Sequence, residues 1–382
     1  MSVTLPVDAS VDRHWLDRAA RLAVRGHGGA QPNPLVGCIV IDAAGCVVGS
    51  GYHRRAGGPH AEITAMETAD DRAAGSTLYV TLEPCSHHGR TPPCTEAIVT
   101  AGIEAVVYAE ADPHPQACGG AEMLRAAGIE VRRAPTTACA ALLAPFAYRL
   151  GTGLPWITAK WAQTLDGRIA TRTGHSQWIS GERSRRLVHR ERGRVDAILT
   201  GIGTVKADDP LLTARGVRRR RVAARVVVDP KGELSLDSAL VRTANEAPVI
   251  ALCLSTTPSP RIERLRKHGV HVNIGSETAG RLNLAEHFKH LSSEHSIATM
   301  LVEAGPGLCS ALLKEDLINE LAVFVAPLLM ADEHAAPPLR GIEPATIADT
   351  TTLTLRAHHR RGPDVLMRYA VREADTRDNS GS

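Results

Sequence analysis

The sequence TLEPCSHHGRTPPC at residues 81–94, together with PHAE at residues 59–62, decides the fold of the first part of the chain. His60 offers one imidazole, and Cys85 and Cys94 offer two thiols, so three ligands are available to one metal ion. Catalytic zinc sites have three protein ligands and one open position, whereas structural zinc sites are closed by four ligands. The pattern therefore predicts a catalytic zinc site held by His60, Cys85 and Cys94.

Glu62 lies two residues beyond the ligand histidine, near the start of a predicted helix. A carboxylate at this position can take a proton from metal-activated water and give it to a leaving amine. A ligand His, a nearby Glu that is not a ligand, and Pro-Cys followed by a second Cys form the zinc deaminase pattern. A structural zinc site is the alternative, and its fourth ligand would be Cys38, Cys46, His87 or His88.

The segment between the two ligand cysteines is unusually long. Eight residues separate Cys85 from Cys94, whereas the common zinc deaminase pattern is Cys-x-x-Cys. Both ends of this loop are metal ligands and the loop is rich in hydrogen-bond donors, so the pattern indicates a polar, anionic substrate beside the metal. A solvated loop with incidental histidines is the alternative interpretation.

The composition excludes several classes of protein. The 382 residues suffice for two domains at roughly 100–200 residues each. One alternative is a nucleic-acid deaminase, which a formal charge of only +3 and 3% aromatic residues disfavour. The other is a non-catalytic scaffold stabilised by zinc, which would not need Glu62. The chain has no apolar stretch of membrane-spanning length, and residues 1–10 do not resemble a signal peptide. Eight cysteines are too few for a disulfide scaffold, so we expect a cytoplasmic protein.

Strand and helix signals alternate in the first part of the chain, which predicts an α/β domain at residues 1–147. A second domain follows at 148–371 and a polar tail at 372–382, with a glycine- and proline-containing linker at 151–155. The spacing predicts helices at 11–25, 61–69, 95–101, 122–127, 182–192, 260–268 and 307–314. It predicts strands at 36–40, 47–48, 78–82, 105–108, 129–132, 156–161, 197–200, 225–229, 249–254, 300–303 and 321–326.

The second domain is predicted to contain a mostly parallel sheet covered by helices. Two of its strands run into glycine turns, GIGT at 201–204 and AGPG at 304–307. Backbone amides at such a turn, especially where a helix begins, bind anions, which favours a phosphate-bearing cofactor. An ordinary tight connection is the alternative for each turn. The run of four arginines at 218–221 is interpreted either as a clamp for a cofactor phosphate or as a solvated loop.

These motifs together resemble the bifunctional riboflavin biosynthesis deaminase–reductases. The resemblance implies a cytidine-deaminase-like domain followed by a dihydrofolate-reductase-like domain, with Zn²⁺ in the first and NADPH in the second. It implies deamination of a diamino-hydroxy-pyrimidine that carries a phosphoribosylamino group, then reduction of the ribosyl group to ribityl. The matching stretches are 31–37 (QPNPLVG), 51–53 (GYH), 57–62 (GGPHAE), 81–94, 160–168 (KWAQTLDGR), 174–180 (GHSQWIS), 201–210 (GIGTVKADDP) and 302–306 (VEAGP).

The resemblance also assigns individual residues. It implies that Glu62 is catalytic, and that the deaminase substrate is contacted by Asn33, His53, His87 and Arg90. The implied NADPH contacts are Gln163, Trp178, Thr204, Asp208, Gly305, Pro306 and Gly307, with ribose hydroxyls as an alternative role for Asp208. The implied contacts to the reductase substrate are Ser176, Arg192, Leu212, Arg215 and Glu303. Lys160 is interpreted as an electrostatic or proton-handling partner, with a phosphate contact as the alternative.

Two departures from the family pattern fall in one loop. The family's Asp-Pro-Asn-Pro has His114 in place of Asn, and its Gly-x-Gly ends here in Ala121. A missing glycine at a tight turn could alter the backbone near the substrate. The resemblance further implies small phosphorylated pyrimidines as substrates, no nucleic-acid or membrane partner, and a homo-oligomer.

Overall fold

The computed structural model describes residues 9–87, 92–115, 117–278 and 280–371. The chain forms two compact units that meet between Thr152 and Gly153, and each unit is considered by itself. The polar tail predicted at 372–382 and the substrate residue Arg90 both lie outside the described residues. Within the described residues, no helix is both long enough and apolar enough to cross a membrane.

The first unit is a five-stranded sheet with helices on both faces. Its strands are β1 (Gly37–Ile41), β2 (Val47–Tyr52), β3 (Thr77–Leu82), β4 (Ala105–Glu110) and β5 (Glu130–Arg133). Its helices are α1 (Ala9–Ala23), α2 (Ala61–Ala69), α3 (Cys94–Thr100), α4 (Gly120–Ala126) and α5 (Thr137–Thr152). The sheet order is β2-β1-β3-β4-β5, in which β1 is antiparallel to β2 and β3, and the pairs β3–β4 and β4–β5 are parallel.

Alternate residues of the strands of this sheet enter two separate cores, because successive side chains of a strand point to opposite faces. On one face Ile39 packs in a cluster with Leu16 of α1. On the other face Val40 and Leu78 pack in a cluster with Ala65 of α2. The sheet is therefore covered on both sides, and one of its covering helices is the helix that contains Glu62.

Glycines bring α2 very close to β2. A Cβ atom at Gly51 would lie 2.3 Å from the carbonyl oxygen of Ala61, and one at Gly49 would lie 2.2 Å from that of Ala65. The backbone of β2 is therefore in direct contact with the backbone of α2, an approach that only glycine permits. This packing fixes the start of α2, where His60 and Glu62 are located.

The second unit is built on a nine-stranded sheet. Its strands are β6 (Trp156–Thr164), β7 (Ala197–Gly201), β8 (Ala224–Val228), β9 (Val249–Leu254), β10 (Val270–Gly275), β11 (Glu277–Thr278), β12 (Arg281–Leu282), β13 (Thr299–Val302), β14 (Glu320–Ala326), β15 (Thr354–Arg361) and β16 (Asp364–Ala370), of which β11 and β12 form a separate ribbon. Its helices are α6 (Glu182–Arg192), α7 (Ile202–Asp208), α8 (Ala239–Arg242), α9 (Ser259–Lys267), α10 (Leu284–Glu294) and α11 (Pro306–Lys314).

The large sheet has the order β10-β9-β8-β7-β13-β6-β14-β16-β15 and is parallel from β10 to β14. Strands β16 and β15 continue it as antiparallel neighbours. The central strands are apolar and buried on both faces, as expected of a parallel sheet covered by helices. The prediction of a mostly parallel second sheet is confirmed.

Some elements differ from the sequence prediction. Helix α5 continues through Gly151, so the stretch predicted as a linker at 151–155 begins inside a helix. Glycine in a helix lowers stability by only about 1 kcal/mol, which packing can offset. The turn predicted at 201–204 runs directly into α7. Strands β10, β15 and β16 and helices α5, α8 and α10 were not predicted. Polar residues interrupt β10 and β15, whereas α10 does have apolar residues at helical spacing, Leu284, Phe288 and Leu291, that the prediction did not use.

Candidate active sites

His60, Cys85 and Cys94 lie together, with their ligand atoms within 4.8 Å of one another. His60 is the residue that precedes the first turn of α2, Cys85 follows β3, and Cys94 is the first residue of α3. The Nδ1 atom of His60 is 3.2 Å from Sγ of Cys94 and 3.5 Å from Sγ of Cys85. One imidazole and two thiols within this distance fit the donor set of a zinc site with one open position.

The electrostatics of the two cysteines suit a metal ligand. The pKa of Cys85 is lowered to about 4, chiefly because the thiol of Cys94 donates a hydrogen bond to it. The backbone N–H of Cys94 also donates to Sγ of Cys85, at 3.4 Å. The pKa of Cys94 is raised, because its proton is held by Cys85 and because it is buried. The hydrogen bonds to Sγ of Cys85 therefore favour its thiolate form, which is the form that coordinates zinc.

A four-ligand structural site does not find support among the described residues. The metal-ligating group there consists of His60, Cys85 and Cys94. Of the other candidates, Cys38 is buried within β1, Cys46 is exposed in the turn before β2, and His87 is exposed. His88 lies outside the described residues. The described part of the chain thus presents three ligands, as the catalytic interpretation requires.

Glu62 is the second residue of α2 and is only 4% exposed. Burial raises the pKa of its carboxyl above the usual range, although the nearby His60 acts in the opposite direction. A carboxyl group can act both as a proton acceptor and as a proton donor more readily when its pKa is raised toward the working pH. The position and the burial of Glu62 both suit a group that shuttles a proton beside the metal.

His53 and Asn33 form a fixed pair next to the metal ligands. The Nδ1 atom of His53 is 3.0 Å from the carbonyl oxygen of Pro59, which can only accept a hydrogen bond, so Nδ1 carries the proton. The Nδ2 group of Asn33 donates to Nε2 of His53 at 3.2 Å. Burial lowers the pKa of His53, which keeps the ring neutral. The ring centroids of His53 and His60 are 5.6 Å apart, so the pair borders the metal cluster.

Glu83 supports the loop that contains Cys85, and sequence reasoning did not single it out. Its carboxylate accepts backbone N–H groups from Gly119 at 3.2 Å, Ala121 at 3.0 Å and Asp112 at 3.4 Å. The side chain is 6% exposed, so these bonds are shielded from water. The only sequence signal was its place between a buried strand and Pro84-Cys85, which is equally compatible with an ordinary strand end.

The loop with the two departures from the family pattern is tightly packed. Gly119 has φ +92°, and a Cβ atom at Gly120 would lie 1.8 Å from the carbonyl oxygen of Pro84, so both positions require glycine. Ala121 is a buried residue inside α4, where backbone φ is negative and a methyl group is accommodated. The backbone N–H of His114 donates to the Asp112 side chain at 2.8 Å. The Ala121 departure therefore does not disturb the turn.

In the second unit, Glu303 lies directly after β13 and is surrounded by cations. Arg192, the last residue of α6, donates two hydrogen bonds to its carboxylate, and Nζ of Lys160 on β6 is 3.7 Å away. Burial alone would raise the pKa of Glu303, but Arg192 and then Lys160 outweigh it and lower the pKa to about 2. Burial lowers the pKa of Lys160. The structure thus brings together three residues that the sequence analysis singled out.

Thr213 connects this group to the following loop. Its carbonyl oxygen accepts from Nη1 of Arg192 at 3.3 Å and from the ring of His189 at 3.1 Å. Its hydroxyl accepts from Arg215, an exposed residue, at 3.2 Å. Leu212, just before, is buried with φ +49°, a conformation that few non-glycine residues adopt. Arg215 therefore keeps most of its guanidinium available at the rim of this group.

The glycine turn before α11 is partly occupied by the protein itself. The backbone N–H of Gly305 donates to Oγ1 of Thr204 at 3.2 Å, and Pro306 has no N–H. The first bond within the helix runs from the N–H of Cys309 to the carbonyl oxygen of Gly305. Not all amides of this turn are therefore available to an anion, contrary to the expectation from the sequence. The backbone N–H groups of Gly307 and Leu308 are the two in the first turn that lack a partner within the helix.

The other expected cofactor and substrate residues are more dispersed. Gln163 accepts a hydrogen bond from the indole of Trp161 at 2.8 Å, and Asp208 is an exposed residue at the end of α7. Trp178 is 67% exposed and stacks under the guanidinium of Arg185, while Ser176 is half-buried. Their roles stay predictions.

The arginine run at 218–221 is not wholly a solvated loop. Arg221 forms an ion pair with the buried carboxylate of Asp196. The backbone N–H groups of Arg220 and Arg221 both donate to the carbonyl oxygen of Gly193. At least one arginine of the run is therefore used to hold the loop against β7.

Comparisons with known proteins show which families the two units resemble. The family described as cytidine and deoxycytidylate deaminase zinc-binding region matches residues 9–110, and the RibD C-terminal domain family matches residues 155–367. The riboflavin biosynthesis protein RibD of Aquifex aeolicus is 42% identical over 324 residues, covering 84% of this chain and 88% of the relative. That of Escherichia coli is 38% identical over 371 residues, covering 93% and 98%.

Solved structures are similar over the same length. The structure of RibD from Acinetobacter baumannii superposes with a TM-score of 0.81 at 34% identity, covering 95% of this chain and 99% of that one. A Thermotoga maritima structure, titled a diaminohydroxyphosphoribosylaminopyrimidine deaminase/5-amino-6-(5-phosphoribosylamino)uracil reductase, gives 0.80 at 30% identity, covering 95% and 99%. The expected order, a cytidine-deaminase-like domain and then a dihydrofolate-reductase-like domain, is confirmed. This chain belongs to the RibD family of riboflavin biosynthesis deaminase–reductases.

Proposed function

We propose that the chain catalyses two consecutive steps of riboflavin biosynthesis. The first is hydrolytic deamination of 2,5-diamino-6-(5-phosphoribosylamino)pyrimidin-4-one, and the second is NADPH-dependent reduction of the ribosyl group to ribityl. The observation that carries the proposal is that one chain contains two separate sites. Buried Glu62 lies beside a three-ligand metal cluster in one unit, and buried Glu303 lies between two cations in the other.

In the first unit we assign His60, Cys85 and Cys94 to Zn²⁺ and Glu62 to proton transfer. Zinc, when bound, lowers the pKa of water in its open position. Glu62 takes a proton from the attacking water and delivers it to the departing amine. A carbon–oxygen bond forms, the carbon–nitrogen bond breaks, and the amino group leaves as ammonia. Burial raises the pKa of Glu62, which favours the protonated form that delivers the proton to the departing amine.

Asn33 and His53 are proposed to read the pyrimidine. Because Asn33 donates its amide N–H to His53, its carbonyl oxygen is the group that it can turn toward a substrate N–H. The orientation of the amide is set by the His53 tautomer, which Pro59 fixes. His87, and Arg90 outside the described residues, are proposed to contact the phosphoribosyl part of the substrate from the long loop.

In the second unit the Arg192–Glu303 ion pair suggests different roles for Arg192 and Arg215. Both carboxylate oxygens of Glu303 and three nitrogens of Arg192 are already hydrogen-bonded within the protein. We therefore assign the substrate phosphate to exposed Arg215 and assign to Arg192 the task of orienting Glu303. Glu303 and Lys160 then face the ribosyl group, where Lys160 can supply a proton to the ring oxygen as the sugar opens. Ser176 and Leu212 are proposed to border the same substrate.

NADPH, when bound, supplies the hydride that reduces the ribosyl carbon. We propose that the amides of Gly307 and Leu308 hold a cofactor phosphate at the start of α11, where the helix dipole favours an anion. Thr204 holds Gly305 in place and so positions that turn. The remaining contacts proposed for NADPH are Gln163, Trp178, Asp208, Gly305 and Pro306.

The cellular setting follows from the same proposal. None of the eight cysteines, all of them within the described residues, forms a disulfide, which is consistent with a reducing cytoplasm. The substrates are proposed to be small phosphorylated pyrimidines. A homo-oligomeric state is proposed from the family resemblance, and light scattering measures it directly.

The test is incubation of the zinc-loaded chain with the diaminopyrimidine substrate, with and without NADPH. Without NADPH we expect one equivalent of ammonia and accumulation of the deaminated pyrimidine. With NADPH we expect the mass of the ribitylamino product and one equivalent of NADPH oxidised. NADPH oxidation without prior ammonia release would contradict the order of the two steps, and the absence of ammonia would contradict the deaminase assignment.

A further inference from the structure

A cleft in the second unit, distant from the residues assigned above, carries an unusual set of side chains. It has a volume of about 390 Å³ and is lined by Arg266, His271, Asn273, His290 and His295, with Ile250 among its apolar residues. We call it the histidine cleft. A volume of this size accommodates a small molecule, since ligand pockets measure roughly 300–1,000 Å³.

The three histidines of the cleft form one cluster from two elements. His271 is on β10, His290 is on α10, and His295 directly follows α10. The ring centroid of His295 is 6.2 Å from that of His271 and 6.2 Å from that of His290, with the rings nearly perpendicular in both pairs. The cluster is therefore a property of the tertiary structure, since eighteen residues separate His271 from His290 in the sequence.

All polar residues of the cleft can donate hydrogen bonds, and each imidazole offers one donor when neutral and two when protonated. Arg266 near the end of α9 is a permanent cation with no acceptor. Nδ1 of the buried His287 donates a hydrogen bond to Oδ1 of Asn273 at 2.5 Å. The side-chain N–H₂ of Asn273 is therefore the part of its amide that can contact a ligand. No carboxylate is among the lining residues. This set favours an anionic ligand.

A metal ion fits the cleft less well than an anion. Among the described residues, the group that brings three metal-ligating atoms within 4.8 Å is the His60 cluster, and the three histidines of the cleft are more widely spaced. The guanidinium of Arg266 would repel a cation. An anion, in contrast, would relieve the mutual repulsion of the imidazoles.

The charged groups around His295 determine how the cleft responds to pH. Burial lowers the pKa of His295, and His271 and His290 lower it further, while Glu294 on α10 raises it. Arg266 adds a fixed positive charge from α9. The protonation of His295 is therefore shifted to lower pH, and the negative charge of a bound phosphate would favour that protonation.

The cleft is separate from the cofactor turn. It opens along β10 and the C-terminal ends of α9 and α10, whereas the proposed NADPH turn follows the carboxyl end of β13. In the sheet, β10 is an edge strand and lies on the far side of β9, β8 and β7 from β13. A ligand there would not compete with NADPH for the same residues.

We propose that the histidine cleft binds a small phosphorylated metabolite, with Arg266, His290 and His295 contacting the phosphate and the apolar strand residues contacting the organic part. The phosphate accepts charge-assisted hydrogen bonds from the guanidinium and from protonated imidazoles. Loss of one such contact reduces affinity by about tenfold or more. The site is independent of the reactions proposed above.

The test is calorimetric titration of the zinc-loaded full chain, saturated with NADPH, with ribose 5-phosphate and separately with inorganic phosphate. We compare wild type, the double variant Arg266→Gln/His290→Asn, and the control His268→Asn, an exposed histidine outside the lining. The expected result is a binding event in wild type and control that the double variant weakens at least tenfold at pH 6.

Three outcomes would overturn the proposal. Equal ribose 5-phosphate affinity in the double variant and the control would show that the cleft is not the site. Equal affinity for inorganic phosphate and ribose 5-phosphate would overturn the assignment to a metabolite. Saturable Ni²⁺ or Zn²⁺ binding that the double variant loses, without any phosphate effect, would make the cleft a metal site. Both activities should be unchanged in the double variant, and if it unfolds, the single variant His290→Asn, at an exposed proposed phosphate contact, replaces it.

Discussion

Arg192 and Glu303 form a two-bonded ion pair between the end of α6 and the end of β13. Nε of Arg192 donates to Oε1 of Glu303 at 2.6 Å, and Nη2 donates to Oε2 at 2.9 Å. Both side chains are nearly buried, with 13% and 12% of their surface exposed. A buried pair of this geometry is costly to break from one side, because the remaining charge is then uncompensated.

The ion pair predicts how stability depends on pH. The pKa of Glu303 is lowered from 4.5 to about 2, so its contribution is fully present above pH 4.5 and is lost as the pH falls through 2. At about 1.4 kcal/mol per pKa unit, the shift corresponds to roughly 3 kcal/mol. Glu303→Gln should lower the unfolding free energy of the reductase unit by about this amount at pH 7. The difference from wild type should narrow between pH 4.5 and pH 2.

Urea unfolding at several pH values measures this difference, and Glu333→Gln, at an 86% exposed side chain, is the control. The control should follow wild type at every pH. A Glu303→Gln variant whose stability deficit stays constant down to pH 2 would show that the carboxylate is not held ionised by Arg192.

Cys85→Ser should remove most of the zinc from the chain. Wild type is expected to hold about one zinc ion per chain, because three ligand atoms lie within 4.8 Å. A serine hydroxyl at this position cannot act as the thiolate that Cys85 provides. Elemental analysis after gel filtration measures the metal, with Cys46→Ser as the control because Cys46 is exposed and outside the cluster. Full zinc retention in Cys85→Ser would refute the assignment.

Glu62→Gln should keep the zinc and the fold but stop ammonia release. The amide cannot take a proton from the attacking water, and the loss of such a group typically costs a factor of about 100 to 10,000 in rate. The same protein should reduce the already deaminated substrate with NADPH at the wild-type rate, because that site is in the other unit. An ammonia assay and an NADPH oxidation assay on one sample decide it, and near wild-type deamination would exclude Glu62 as the proton carrier.

The sequence predicted the metal cluster well because its chemistry is local. The ligands come from short motifs, and helix α2 begins at the predicted residue, directly after His60. The role of Glu83 could not be predicted in this way. Its three partners are 29, 36 and 38 residues further along the chain, and only the folded loop brings their N–H groups to its carboxylate.

The second unit shows the same limit. Arg192 and Glu303 were each expected to contact the substrate, and their pairing with each other across 111 residues was not expected. The glycine turn before α11 was expected to present free amides, yet Thr204 already binds the N–H of Gly305. Helix α10 has Leu284, Phe288 and Leu291 at helical spacing after Asn283, a signal that the sequence analysis did not use. What the sequence could not show is that α10 and β10 bring their histidines into one cleft.

Glu83→Ala should destabilise the deaminase unit and loosen its zinc. The substitution leaves three backbone N–H groups without their acceptor in a mostly buried place, and each costs about 1–3 kcal/mol unless water reaches it. We expect a loss of at least 2 kcal/mol in unfolding free energy and faster transfer of zinc to a chelator. Glu83→Gln, which keeps one acceptor oxygen, should be intermediate, and Glu122→Gln, at an exposed side chain of α4, should behave as wild type. If Glu83→Ala transferred zinc to the chelator at the wild-type rate, Glu83 would have no role in holding the metal site.

Gly307→Val should weaken NADPH binding strongly while deamination and zinc content stay unchanged. In the protein alone, a Cβ atom at Gly307 meets only the end of the Arg340 side chain, at 3.5 Å, so the fold itself tolerates a side chain there. A phosphate held by the amides of Gly307 and Leu308 would, however, be displaced by the valine methyl groups, because those amides are the ones left at the start of α11.

The two units have separate cores, so a defect at α11 is not expected to reach the zinc site. Fluorescence titration with NADPH should give at least tenfold weaker affinity for Gly307→Val. The control Lys314→Gln, at the far end of the same helix, should bind NADPH as wild type does. Unchanged NADPH affinity in Gly307→Val would place the cofactor phosphate elsewhere in the unit. Loss of deamination together with NADPH binding would instead reveal a folding defect or a coupling between the units, and a thermal melt of the same sample separates these two causes.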